Sequence, residues 1–113
     1  MNINSFQSCI DACNACATAC VSCAAMCLKE SDVAAMVRCI ELDTDCALLC
    51  RTAATLMARG SEHAAALCRL CAAACQACAD ECGQHKMDHC QRCAEACRRC
   101  AEECAQMATG QYS

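Results

Sequence analysis

Between residues 68 and 82 the chain reads CRLCAAACQACADEC, with five cysteines at alternating steps of three and four. Nearly the same string occurs at 90–104, CQRCAEACRRCAEEC, and at 13–27, CNACATACVSCAAMC. Alternating steps of three and four keep side chains along the a/d seam of an α-helix, the stripe that faces a bundle axis. The spacing therefore asks for several long helices whose shared interior is lined with thiols.

The rest of the chain agrees. It has no proline and three glycines, and it is rich in Ala, Glu, Gln, Arg, Leu and Met, the good helix formers. Gly60, Gly83 and Gly110 mark breaks where a left-handed C-cap favours glycine. KESD at 29–32 makes the remaining break, with Ser31 or Asp32 as N-cap. Ser61 is placed to cap a third helix, and Asp88 with Gln91 resembles a capping box for a fourth. The expected helices run over about 5–29, 32–59, 61–83 and 88–108, within a single domain spanning 1–113. Short connections between long helices make neighbours antiparallel, giving an all-α, up-down-up-down four-helix bundle with a cysteine-lined core.

In this bundle the first seam is Cys9, Cys13, Cys16, Cys20, Cys23 and Cys27. The third is Cys68, Cys71, Cys75, Cys78 and Cys82, continued by His85. The fourth is Cys90, Cys93, Cys97, Cys100 and Cys104, continued by Met107. The second is a partial copy: Met36, Cys39, Asp43, Cys46, Cys50, Ala53 and Met57. All 19 cysteines fall on these four stripes. Only Phe6 and Tyr112 are aromatic, so a core of large side chains is not available.

Three uses of so many thiols compete. As small hydrophobic filler, cysteine beside alanine would pack a bundle loosely. As disulfides they suit an oxidising compartment, yet MNINSFQSCIDAC lacks the basic and apolar regions of a secretory signal, and the cysteine count is odd. Helix neighbours three or four apart also hold their Cβ atoms ~5–6 Å apart, beyond the ~3.5–4.5 Å that a disulfide prefers. The third use is metal. Each i, i+3 or i, i+4 pair can clamp a soft ion, and thiolate selects Cu(I), Zn(II) or iron–sulfur clusters. Zinc wants closed sets of four ligands, and iron–sulfur clusters are usually wrapped by looped cysteine runs. Zinc or iron–sulfur binding in a ferredoxin-like redox protein stands as the alternative. Charge favours Cu(I), because buried thiolates must be neutralised. If each sulfur bridges two monovalent ions and each ion takes two sulfurs, ions and cysteines are equal in number.

Repeated CxxCxxxC on four alanine-rich helices resembles the cytosolic bacterial copper storage proteins across essentially the whole chain. The resemblance implies a bundle that fills with many Cu(I) ions, held by CxxxC pairs and neighbouring thiols. It also implies a homotetramer and a role in cytoplasmic copper storage or sequestration, rather than an enzyme. It names no copper donor or recipient. The second helix departs from the pattern, with three cysteines and Asp43 in the seam.

Asp43 is either an oxygen ligand or a satisfied polar group inside the bundle, or else it is turned outward. GQHKMDH at 83–89 sets His85, Met87 and His89 at one end, a candidate mouth for metal, with Met57 and Met107 at the other. The interior is expected to open only at its ends, since helix packing closes the sides. His63 has no such company and reads as solvated. Val33, Val37, Ile40, Leu48, Leu49 and Leu56 give the second helix a further apolar face, expected to join one bundle to another. A net charge of −4 with interspersed signs suggests neither nucleic acid nor an anionic membrane, and no apolar run is read as a membrane span. No nucleophile–base pair, phosphate loop or cofactor fingerprint is present, which argues for a store over an enzyme.

Overall fold

The computed structural model describes residues 3–109, with side chains described from residue 6 onward. Four helices follow in order: α1 (Ile3–Cys27), α2 (Val37–Arg59), α3 (Ala64–Cys82) and α4 (Asp88–Ala108). A short 3-10 turn, Val33–Met36, leads into α2. Each helix packs on the next in sequence, and α4 closes against α1. Contacts such as Cys27 with Cys39, Cys39 with Cys82 and Cys23 with Cys90 join the end of one helix to the start of its neighbour, so packed neighbours run antiparallel. The result is an up-down-up-down bundle of 47 × 18 × 18 Å.

The seams read from the sequence face inward. All 19 cysteines are buried, as are Met36, Asp43, Ala53, Met57 and Met107. The methionines fill the bundle ends, where a long, flexible thioether can close an irregular gap.

The helix ends differ from expectation in instructive ways. Asp32 does cap the second segment, accepting from the Ala35 amide at 3.3 Å, but the first turn it caps is the 3-10 one. Ser61 accepts from the His63 amide at 3.1 Å, three residues short of α3, so it shapes the turn and not the helix start. The capping box does not form. Asp88 pairs instead with Arg92, and Gln91 Nε2 donates to the carbonyls of Gly83 and His85 at 3.1 and 2.7 Å, pinning the α3–α4 turn. Gly60 ends α2 in the left-handed region at φ 67°, where glycine is strain-free. Gly83 stays right-handed, so it is not the left-handed cap expected of it. Gly110 lies outside the described residues.

Two expectations about surfaces also change. By length and a mean hydropathy of 1.4, Phe6–Cys27 is long and apolar enough to cross a membrane. Much of that apolarity comes from its seam cysteines, which are buried among the other three helices. Ile40, Leu49 and Leu56 are half-buried against the core and not free for another bundle, whereas Val33, Val37 and Leu48 are exposed. Leu70 on α3, which the α2 pattern does not point to, is also exposed and lies beside Leu48, Leu42 and Leu49 in a shallow apolar groove.

Candidate metal centre

The helical seams bring the sulfurs into one connected column. At the end formed by the α1–α2 and α3–α4 turns, Cys23, Cys27, Cys39 and Cys90 form a set whose ligand atoms all lie within 4.8 Å of one another. Deeper sets follow: Cys20 with Cys78, Cys93 and Cys97, then Cys16 with Cys46, Cys50 and Cys75, then Cys13 with Cys71, Cys100 and Cys104. Neighbouring sets are linked. Sγ separations include 3.2 Å for Cys39–Cys82, 3.6 Å for Cys20–Cys97 and for Cys16–Cys46, and 3.2 Å for Cys46–Cys75. The column continues at 3.7 Å for Cys50–Cys100, 3.5 Å for Cys13–Cys104 and 3.8 Å for Cys9–Cys104. Every cysteine is a free thiol. Cys68 completes the far end beside Cys104 and Cys9.

Sharing of protons sorts these thiols. Cys75 and Cys100 are pushed up, first by bonds they donate to neighbouring sulfurs and then by burial. Cys16 and Cys71 go down, chiefly because Cys100 bonds to each. At the turn end, burial and then the charge of Cys39 raise Cys90 to about 11, while bonds from Cys23 and Cys82 bring Cys39 down to about 3. The raised thiols hold their protons when the bundle is empty and give them up to a soft cation, one for each thiolate formed.

Asp43 is fully buried in the wall that α2 contributes, so the outward-turned alternative does not occur. Cys78 and Cys93 donate to its Oδ1 at 3.1 and 3.2 Å, and Cys82 at 3.5 Å, which satisfies the carboxyl with thiol donors. Burial above all, then the repulsion that a thiolate at Cys93 would add, pushes it up to about 10. Its carboxyl is thus neutral at physiological pH in the empty bundle. Its oxygens stand where α2 would otherwise present a thiol.

The three residues at the candidate mouth separate. His89 is buried, and its Nδ1 lies 3.5 Å from the sulfurs of both Cys23 and Cys90. Its Nε2 is held by Glu30 Oε2 at 3.0 Å, a partner from the α1–α2 turn that the sequence pattern does not reveal. His85 lies beyond the end of α3 and does not continue the seam; its Nε2 pairs with Glu81 at 2.8 Å. Met87 is half-buried against the core. At the opposite end, Met57 and Met107 are each 2% exposed and shut the column off from solvent. His63 is well exposed beside Glu62.

Comparison with known proteins matches this geometry. Residues 2–109 match the family model described as copper storage protein. The uncharacterized cysteine-rich protein YhjQ of Bacillus subtilis (strain 168) is 46% identical over 83 residues, 74% of this chain and 77% of that protein. Among solved structures, the Cu(I)-bound copper storage protein BsCsp3 is 45% identical with a TM-score of 0.88, covering 92% of this chain and 98% of that one. A cytosolic copper storage protein from Streptomyces lividans, loaded with five coppers, is 38% identical with a TM-score of 0.92, covering 96% and 95%.

Proposed function

The chain belongs to the copper storage protein family, and we propose that it stores Cu(I) in the cytoplasm, as a single bundle domain whose 19 cysteines are the ligands. The observation that carries this reading is the unbroken sulfur column, in which thiols from all four helices stand within reach of shared soft ions. A monovalent ion taken by two bridging thiolates neutralises the interior as it fills; Zn(II) in tetrathiolate sites leaves excess negative charge. Repeated thiol sites along one column suit storage and not turnover.

His89, Met87 and His85 act at the turn end, where neutral donors can receive an ion before it passes to the thiolates. Asp43 supplies an oxygen beside Cys78, Cys82 and Cys93, as a ligand or as a hydrogen-bond partner to ligands. The exposed groove of Leu48 and Leu70 joins bundles into a homo-oligomer, the tetramer expected of the family.

Anaerobic Cu(I) titration of the reduced protein, with chelator competition, tests the reading. The expected result is saturation at roughly one Cu(I) per cysteine. Saturation with roughly four or five Zn(II) in tetrathiolate sites, and weaker Cu(I) binding, would make it a zinc protein.

A further inference from the structure

A groove runs along the outside of the wall between α1 and α4. Ala15, Ala19 and Ser22 line it, and side chains this small leave a cleft of about 620 Å³ where larger ones would seal the helices together. Its lips are Asn14 and Thr18 on α1 and Arg92 on α4, and Cys23, Cys93 and His89 also line it. The side wall stays closed to solvent, with Cys23 1% and Cys93 0% exposed. Its small side chains nevertheless leave it thin directly over the turn-end thiols, so that a local parting of α1 from α4 would bring an ion to them.

The size and the chemistry of the cleft both point to a carried ion. A bare ion needs no such room, whereas the volume falls among small-molecule sites, roughly 300–1,000 Å³. Arg92, Asn14 and the hydroxyls of Thr18 and Ser22 offer donors for carboxylate groups. Arg51 of α2 reaches Asn14 and Thr18 at 3.4 Å each and adds a second positive charge behind that lip. Among the described residues Arg92 pairs with Asp88 at the surface, 3.2 Å away, and an exposed pair of this kind yields readily to another carboxylate. The apolar Leu48–Leu70 groove lies between α2 and α3, on the opposite side of the bundle, so covering it leaves this cleft open.

We propose that the α1–α4 cleft docks Cu(I) carried by a small anionic thiol, which passes the ion sideways to Cys23 and Cys93. The inference rests on the copper-storage reading. A bis-thiolate Cu(I) complex exchanges its two carrier sulfurs, one after the other, for the sulfurs of Cys23 and Cys93. Each protein thiol gives its proton to the departing carrier sulfur. Two Cu–S bonds form and two break, copper stays Cu(I), and no oxidant or reductant is required. His89 Nδ1, 3.5 Å from Cys23, is a neutral third donor while one sulfur is being exchanged.

Anaerobic stopped-flow loading tests it, with Cu(I) supplied either by glutathione, a tripeptide thiol with two carboxylates, or by acetonitrile, a neutral ligand. The Ala19→Leu/Ser22→Leu variant fills the cleft, and Arg92→Gln removes its charge without touching the packing. The expected result is a loading rate from the glutathione complex reduced on the order of tenfold in each, with the acetonitrile rate and the final copper content unchanged. Glutathione rates that match wild type, or both donors slowed alike, would overturn the cleft. Copper content of the wild-type protein is read in the same experiment. A chain that takes up only a few ions refutes storage itself, whichever way the rates fall.

Discussion

Glu30 Oε2 lies 3.0 Å from His89 Nε2 although 59 positions separate them, and this contact ties the α1–α2 turn to the first turn of α4. The carboxylate accepts a hydrogen bond from Nε2–H. That leaves the Nδ1 lone pair facing Cys23 and Cys90, each 3.5 Å away. The pairing is the carboxylate–histidine arrangement that fixes tautomer and ring orientation at metal sites.

Replacing Glu30 by alanine should therefore release the ring. Nitrogen-15 spectra of the metal-free protein should show the Nε2-protonated tautomer in wild type and a mixture in Glu30→Ala. Affinity for the first Cu(I) ions should drop by roughly 10–100-fold, and Glu30→Gln, whose side-chain oxygen still accepts, should recover much of it. Unchanged spectra and first-ion affinity in Glu30→Ala would show that the turn does not hold the imidazole.

Asp43 gives a pH dependence with a defined sign. Its folded pKa, about 10, stands above the ordinary value of 3.8. Its contribution to stability is thus fully present below pH 3.8 and is lost as pH rises towards 10. The neutral Asp43→Asn variant lacks that loss. The difference in Tm between variant and wild type, measured without metal, should shift in favour of the variant from about pH 4 to pH 8. A difference that stays flat over that range would place the carboxyl's pKa near its ordinary value.

Assembly should depend on Leu48 and Leu70, which are 67% and 53% exposed. Leu48→Glu with Leu70→Glu should move the protein towards monomer in sedimentation while leaving its Cu(I) capacity intact. Ile40 is a poorer probe, because it packs against the bundle's own core. A sedimentation coefficient equal to wild type would direct the search to another face.

The seams were legible because a thiol every three or four residues declares both the helix and its inward face. The burial of Met57 followed from register alone, whereas register left Asp43 either buried or turned outward. Glu30 was not legible, since a turn residue carries no periodic signal and its partner lies far along the chain. Gln91 misled for a related reason: a capping box and a brace for the preceding turn share one spacing, and only the path of the turn selects between them. The α1–α4 cleft escaped notice because Ala15, Ala19 and Ser22 read as neutral helix surface. What matters is the volume they fail to fill opposite α4.

The metal-free protein should already be folded. Helix propensity, the Asp32 and Gly60 caps and the methionine-filled ends owe nothing to copper, unlike the loops of a zinc finger. Circular dichroism of the reduced apo-protein should be strongly helical, and copper should raise Tm, since it binds the native state. A largely disordered apo-chain would contradict this.

The sulfur column also fixes an order in time. On the proposed entry, by the mouth or the cleft, ions reach it at the turn end, while Met57 and Met107, each 2% exposed, fill the other. In a tube filled and emptied from one side, ions cannot overtake one another. The last copper to arrive is the first to leave, and the ions beside Cys9 and Cys68 are a reserve reached only when the rest is spent. Loading with one copper isotope and topping up with a second would expose this as a queue. A chelator should draw off the second isotope first, so that each ion's date of arrival is recorded in its position.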